Sequence, residues 1–250
     1  MRIQNITDIK NIFYINLDTR TDRKTFFENQ MRTLGLRAER FTAIRHSIGA
    51  IGCTLSHIAL LKYAKTQNLD HILIMEDDIM FMDPQAFINN LNNCLFNHSD
   101  FDVLLIAGNN MGKYLKLSNN CVRISKCQTT TGYLVKSHYY DKLIQNYEAG
   151  MSKLIKNINL HIVYAIDKHW SILQTIDKWY LVTPLSVSQK PDYSDIEQKH
   201  VNYNHVMLEL DKKDGIHMNF IKAPHITPMK KRIRSTLPHP MKSVIHKNKI

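Results

Sequence analysis

The sequence is poor in the residues that build unusual architectures. Only 8 glycines and 7 prolines occur in 250 residues, which excludes a collagen-like, low-complexity or linker-dominated chain. No internal repeat points to a solenoid. The 4 cysteines, Cys53, Cys94, Cys121 and Cys127, form no Cys-x-x-Cys and no paired Cys/His spacing, so nothing indicates a structural zinc site. Scattered thiols of this kind suit a reducing compartment. No apolar run approaches the roughly 20 residues of a membrane-spanning helix, and Met1 to Asp8 lacks an apolar signal region. These absences predict a cytoplasmic protein, or one peripheral on the cytoplasmic membrane face.

Hydrophobic residues make up 44% and charged residues 22%, the balance of a globular domain with a sizeable core. Lysine and arginine outnumber acids 33 to 22, a net charge of +11, which favours an acidic partner. The excess is uneven. From Lys222 to Ile250 there are basic residues and no Asp or Glu. The reading is a domain over 1–210 and a basic tail over 211–250, the tail suited to an anionic membrane surface. A nucleic-acid module built on Lys230 to Arg234 is disfavoured, because no aromatics interleave that cluster.

Strand-like and helix-like segments alternate in the first half. Ile12 to Leu17 and Ile72 to Met75 read as buried strands. Thr25 to Leu34 reads as a helix closed by Gly35, and Thr54 to Gln67 as a helix with Thr54 as N-cap. Asp83-Pro84 starts a third helix, and Phe101 to Ala107 is another strand. Later come a strand at Gly132 to Val135, a helix from Ser137 ending near Gly150, a short helix capped by Asp167, and a strand at Trp179 to Thr183. Such alternation predicts an α/β domain, a mostly parallel central sheet flanked by helices.

The sharpest chemical signal is Glu76-Asp77-Asp78, three adjacent carboxylates where an apolar strand ends. Ligands of open α/β sheets bind outside the carboxyl ends of the strands. Residues i and i+2 of an extended chain point the same way, so Glu76 and Asp78 are candidate ligands for Mn²⁺ or Mg²⁺ bridged to a diphosphate. A solvated loop of capping acids is the bland alternative. Asn16, Asp18, Arg20 and Arg23 follow the first strand. An acid there can hold a ribose, and a guanidinium can pair with diphosphate oxygens. The Gly49 to His57 segment has small residues where backbone can approach a ligand, and Ser56 and His57 are candidates to face the donor. Thr131 and Gly132 can line a sugar pocket, and Gln189 can help close it. Cys53 reads as packing, and Trp170 and Trp179 as core aromatics more readily than sugar platforms.

Four stretches in order, Tyr14-Ile-Asn-Leu-Asp-Thr-Arg-Thr-Asp-Arg23, Glu39-Arg-Phe-Thr-Ala43, Gly49-Ala-Ile-Gly-Cys-Thr-Leu-Ser-His57 and Leu73-Ile-Met-Glu-Asp-Asp78, resemble glycosyltransferase family 25. That family includes lipooligosaccharide galactosyltransferases and, more remotely, collagen galactosyltransferases. The match is strong over Ile12 to Phe81 and weaker through Thr131 to Val135, Asp167 and Pro184 to Ile196. The resemblance implies a GT-A type nucleotide-sugar fold and a UDP-sugar donor, with galactose the expected sugar. It further implies a saccharide or glycolipid acceptor, and inversion at the anomeric carbon. A collagen-like protein acceptor and a metal-dependent nucleotidyl- or phosphotransferase stay open. The family's late acid corresponds to Asp167, the candidate general base. A strict Asp-x-Asp is absent, and Glu76-Asp77-Asp78 stands in its place. This puts the metal on Asp78, with Glu76 its partner, and Asp77 or Glu76 nearer the ribose.

Overall fold

A computed structural model describes residues 2–194 and 196–212, and the backbone of 220–221. The basic stretch 222–250, on which the membrane-binding expectation falls, lies outside the described residues. In chain order the main elements are β1 (Ile12–Asn16), α1 (Thr21–Leu34), β2 (Glu39–Thr42), α2 (Gly49–Thr66), β3 (His71–Glu76), α3 (Pro84–Asn97), β4 (Val103–Leu105), β5 (Tyr114–Lys116), β6 (Cys121–Ile124), β7 (Gly132–Lys136), α4 (Tyr140–Lys156), β8 (Trp179–Val182) and β9 (Phe220–Ile221).

The strands form one nine-stranded sheet in the order β9-β5-β6-β8-β4-β7-β3-β1-β2. Seven strands run in one direction, while β7 and β6 each run against both neighbours. The sheet is thus mostly parallel in strand direction and mixed in pairing. Both faces are covered, so the central strands read as continuous apolar runs. Alternation sorts their side chains. Tyr14, Leu73 and Met75 face a core completed by Phe27 and Met31 of α1 and Phe87 and Leu91 of α3. Phe13, Ile15, Ile72 and Ile74 face one completed by Leu60 and Leu61 of α2 and Leu143 and Tyr147 of α4. Trp170 and Trp179 are fully buried in this second core, their rings 5.1 Å apart.

Local signals placed several boundaries well. Gly35 takes the left-handed conformation, φ 67°, and closes α1, and the Asp83 side chain accepts from the Ala86 N–H and caps α3. Others moved. The helix expected from Thr54 begins at Gly49, and Thr54 lies inside it, its hydroxyl donating to the Ala50 carbonyl. The close approach at Gly52 is to the chain itself: a Cβ there would lie 2.7 Å from the Ile44 carbonyl oxygen. α4 runs past Gly150 to Lys156, and the glycine serves packing rather than termination, since a Cβ there would lie 2.8 Å from the His169 ring. Asp167 is inside a one-turn helix, Ile166–His169, rather than at its cap.

Candidate functional site

Four chain segments meet at the carboxyl end of β3: the end of β1, the start of α2, the Thr129–Thr131 approach to β7, and residues 187–194. The meeting follows from topology, since β7 runs antiparallel beside β3 and brings Thr131 next to Glu76, whose N–H donates to the Thr131 carbonyl at 3.0 Å.

The three acids of the triplet have different surroundings. Glu76 accepts from Thr130 Oγ1 at 2.7 Å and from Gln189 Nε2 at 3.1 Å, and His57 Nε2 lies 3.8 Å away. Asp77 accepts from Asn16 Nδ2 at 2.7 Å and Arg23 Nη1 at 3.2 Å. Asp78 takes the same Arg23 nitrogen on Oδ2 at 3.0 Å, but its buried Oδ1 has no hydrogen-bond partner among the described residues. Burial drives up the Asp78 carboxyl, Glu76 adds to this and Arg23 opposes it, for a value of about 8. Burial also raises Asp77 against Arg23. Burial pushes Glu76 up as well, yet His57 and Thr130 outweigh it and hold the carboxyl below its usual range. Such a cluster keeps its negative charge only with a cation nearby, and Arg23 supplies part of one.

Arg23 is held from the other side. It donates to the Tyr193 carbonyl at 2.9 Å and lies 3.4 Å from Asp192, which also takes Arg20 at 2.9 Å. Arg20 and Arg23 thus tie α1 to the hairpin of 192–194 and 199–201. Asp18 is 71% exposed at its side chain and pairs with Arg40 at 2.6 Å. Arg40 in turn donates to Asn16 Oδ1 at 2.9 Å and orients that amide towards Asp77.

The remaining expected residues divide between lining and support. His57 is 1% exposed, with Nδ1 2.9 Å from the Tyr133 hydroxyl and no hydrogen bond at Nε2. Thr131 is buried with its hydroxyl unpartnered, as is that of Thr129. Ser56 spends its hydroxyl locally, donating to Gly52 and accepting from the Ile44 N–H, which fastens the loop before α2. Gly132 is pressed on Ile106, where a Cβ would lie 2.7 Å from Cγ1. Asp167 Oδ2 accepts from the Thr129 N–H at 3.2 Å and so fixes the loop carrying Thr130 and Thr131.

Arg40 and Asp192 had drawn no assignment from the sequence, and Cys53, read as packing, lies at the site as well. Cys53 Sγ, His57 Nε2 and a Glu76 oxygen lie within 4.8 Å of one another, close enough to share a metal ion. Burial, then the Glu76 and Asp167 charges, pushes the Cys53 thiol well above its usual range, which makes it a poor nucleophile. The sequence signal for Cys53 was its place one turn before His57 on α2; Asp192 carried none beyond its nearness to Tyr193. Two further acids of the second half could be considered for the base if Asp167 is not it: Asp177 pairs with Lys142 and Tyr139 before β8 starts, at the far end of the sheet, and Asp195 lies outside the described residues.

The carboxylates thus gather outside the carboxyl end of β3, the place where open α/β sheets bind their ligands. Residues 47–170 match the profile of glycosyltransferase family 25, described as an LPS biosynthesis protein. Over that span, just under half of its length, the chain carries the pattern of family 25. The matched span takes in the Gly49–His57 motif, the triplet, Thr131 to Val135 and Asp167; the first two motifs precede it. No curated protein matches the chain.

Solved structures similar to it include mannose-1-phosphate geranyltransferase from Thermus thermophilus, 9% identical, with a TM-score of 0.38 over 68% of this chain and 58% of that one. A Drosophila β-1,4-galactosyltransferase 7 in complex with manganese, UDP-Gal and xylobiose is 14% identical, with a TM-score of 0.33 over 53% and 50%. A glycosyltransferase involved in glycosylation of the major capsid of PBCV-1 is 7% identical, with a TM-score of 0.36 over 69% and 92%. The chain therefore spans half, or a little more, of the length of the first two.

Proposed function

We propose that the chain transfers a hexosyl group, galactose from UDP-galactose being the expected one, to a lipooligosaccharide or lipopolysaccharide acceptor with inversion. The observation that carries the donor half is the unpartnered, buried Oδ1 of Asp78 among three carboxylates at the end of β3. A hard divalent cation, Mn²⁺ or Mg²⁺, fits that oxygen. Asp78 would hold it with Glu76 beside it, and when bound it supplies charge neutralisation for the departing diphosphate. Cys53, His57 and Glu76 offer a softer, alternative donor set.

The protein's own groups supply the rest. Arg20 and Arg23 stand at the mouth of the site, where guanidinium groups pair with diphosphate oxygens. Asn16 and Asp77 form a buried polar pair at the end of β1, suited to ribose or base, and Asp18 lies further out. Thr131, Gly132, His57 and Gln189 border the sugar side, while Ser56 supports the loop before α2. Asp167 is the proposed general base. It is an acid from the second half of the chain, and its Oδ2 accepts from the Thr129 N–H beside the cluster. Drawing off the acceptor proton needs a positioned carboxylate or imidazole there.

The test is a screen of UDP-sugars for Mn²⁺-dependent hydrolysis and thermal stabilisation of the protein. Turnover and stabilisation by one UDP-hexose support the reading. Turnover of nucleoside triphosphates in its place, or full activity in excess chelator, overturns it.

A further inference from the structure

We propose that residues 155–163 form a membrane-docking face that lays this enzyme on an anionic bilayer. The inference comes from exposure and charge alone and does not depend on which sugar is transferred. Among the described residues, thirteen large hydrophobic side chains are exposed, and seven of them fall between Ile155 and Ile176. Isolated exposed apolar residues are ordinary, but a concentration in one segment marks an interaction surface.

The segment is built to present them. α4 buries Leu143, Ile144, Tyr147, Gly150 and Leu154 on its inner face. Just past Leu154 every residue from Ile155 to Val163 is exposed. Ile155 is 60% exposed and Ile162 69%, with Ile158, Leu160 and Val163 between and beside them. Ile155 stands on the last turn of α4, and two short turns, Ile158–Leu160 and His161–Tyr164, carry the others. Ile166, 6% exposed, then returns the chain to the core. The segment is anchored at both ends, so its apolar surface belongs to the folded state.

Its charge selects the occupant. From Ala149 to Ile166 there is no acidic residue, while Lys153, Lys156 and His161 are basic. The Lys153 ammonium sits over the Tyr164 ring at 4.7 Å. Apolar residues flanked by lysines are the pattern of an interfacial anchor, in which the side chains enter the headgroup boundary and the lysines meet anionic lipid. Among the described residues no helix is long and apolar enough to cross a membrane, so attachment there would have to be of this peripheral kind. Only Tyr164, Ala165 and Ile166 separate Val163 from Asp167. A bilayer under this face would lie next to the loop that Asp167 holds.

The experiment is co-sedimentation of the full chain with vesicles of phosphatidylglycerol and phosphatidylethanolamine in equal parts, against phosphatidylcholine vesicles, with no donor or acceptor present. Binding to the anionic vesicles that weakens with salt is expected. The double variant Ile162→Asp/Val163→Asp should keep its circular dichroism spectrum and lose affinity by about tenfold or more. The double variant Lys153→Glu/Lys156→Glu should lose affinity similarly, and it decides the matter if the first pair fails to fold. Unchanged binding by the folded variants overturns the proposal, as does wild type that ignores anionic vesicles. So does loss of binding only when Lys230, Lys231, Arg232 and Arg234 are changed to Glu, which would assign the membrane to the basic tail. A dimer that Ile162→Asp/Val163→Asp converts to monomer without changing vesicle binding also overturns it, because the face would then be a contact between copies.

Discussion

The two ends of β3 carry similar residue types and do opposite work. At the start, His71 is buried but largely supplied: Nε2 accepts from the Lys10 N–H at 3.1 Å, its carbonyl accepts from Asn11 at 3.0 Å, and Nδ1, though it makes no hydrogen bond, lies 2.6 Å from the Asp70 carboxylate. At the finish, four buried polar atoms, His57 Nε2, Asp78 Oδ1, Thr129 Oγ1 and Thr131 Oγ1, have no hydrogen-bond partner among the described residues. Buried polar groups left unpaired cost stability. The first end is arranged to hold the fold, and the second keeps its capacity for something else. Strand direction explains the asymmetry: carboxyl ends open onto the loops that vary, while amino ends are closed by packing.

The largest expected effect separates the two ends directly. Asp78→Asn should fold as wild type and lose transfer by roughly 10²-fold or more, because the carboxylate charge proposed to hold the cation is gone. Asp70→Asn, at the other end, should transfer within a few-fold of wild type. Equal activities for the two variants in a UDP-sugar transfer assay would erase the distinction. Next comes Asp167→Asn, expected to bind donor normally and transfer slower by roughly 10²-fold. Because the Asn side chain can still accept the Thr129 N–H, a rate within a few-fold of wild type would leave Asp167 a purely positional role and direct attention to His57.

A stability effect should dominate at the start of β3. His71→Ala leaves the Lys10 N–H without its acceptor and should cost about 1–3 kcal/mol in urea unfolding, with transfer by the folded fraction little changed. Burial holds the His71 ring below its ordinary value of 6.5, against the pull of Asp70. A depressed imidazole favours the neutral ring in the folded state. Its contribution is therefore complete above pH 6.5 and is lost as the pH falls through the folded value. Wild type should weaken from about pH 7.5 to about pH 5.5 more than His71→Ala does; parallel curves would mean that another group sets the acid sensitivity. The smallest effect should come from Asp18→Asn. Its exposed pair with Arg40 contributes at most about 1 kcal/mol, so a changed KM for donor without a changed midpoint would mark Asp18 as a ligand of the ribose.

The proposed boundary between 210 and 211 can be sharpened in the same way. Asp211 accepts from the Tyr114 hydroxyl at 3.0 Å, and the backbone of 220–221 pairs with β5. A chain ending at 221 should therefore unfold at a higher urea concentration than one ending at 210.

Much of this was legible in the chain itself. Apolar runs such as Ile72 to Met75 can only be buried strands or core helix, and the abrupt change to three carboxylates fixes where the strand stops. Gly35 and the Asp83-Pro84 pair mark helix ends because their backbone preferences are intrinsic. Motif order was enough to point to the family whose profile matches residues 47–170, His57 and the triplet among them. What periodicity missed were the short strands β5, β6 and β9, where two to four residues carry too little alternation to stand out. It also missed the start of α2, where Gly49 and Gly52 read as loop; Gly52 in fact lets the helix lie against the Ile44 carbonyl.

Local sequence therefore determined which segments are strands, where the acids gather and which chemistry they suit, since those follow from side-chain type and spacing. Only the tertiary structure decided how the three acids divide. The antiparallel entry of β7 gave Glu76 the Thr130 hydroxyl, α1 gave Asp77 and Asp78 the shared Arg23, and the 187–194 segment brought Gln189 and Asp192 across from more than a hundred residues away. Hydrogen-bond partners set by strand order and helix crossing leave no trace in the spacing of the residues they join.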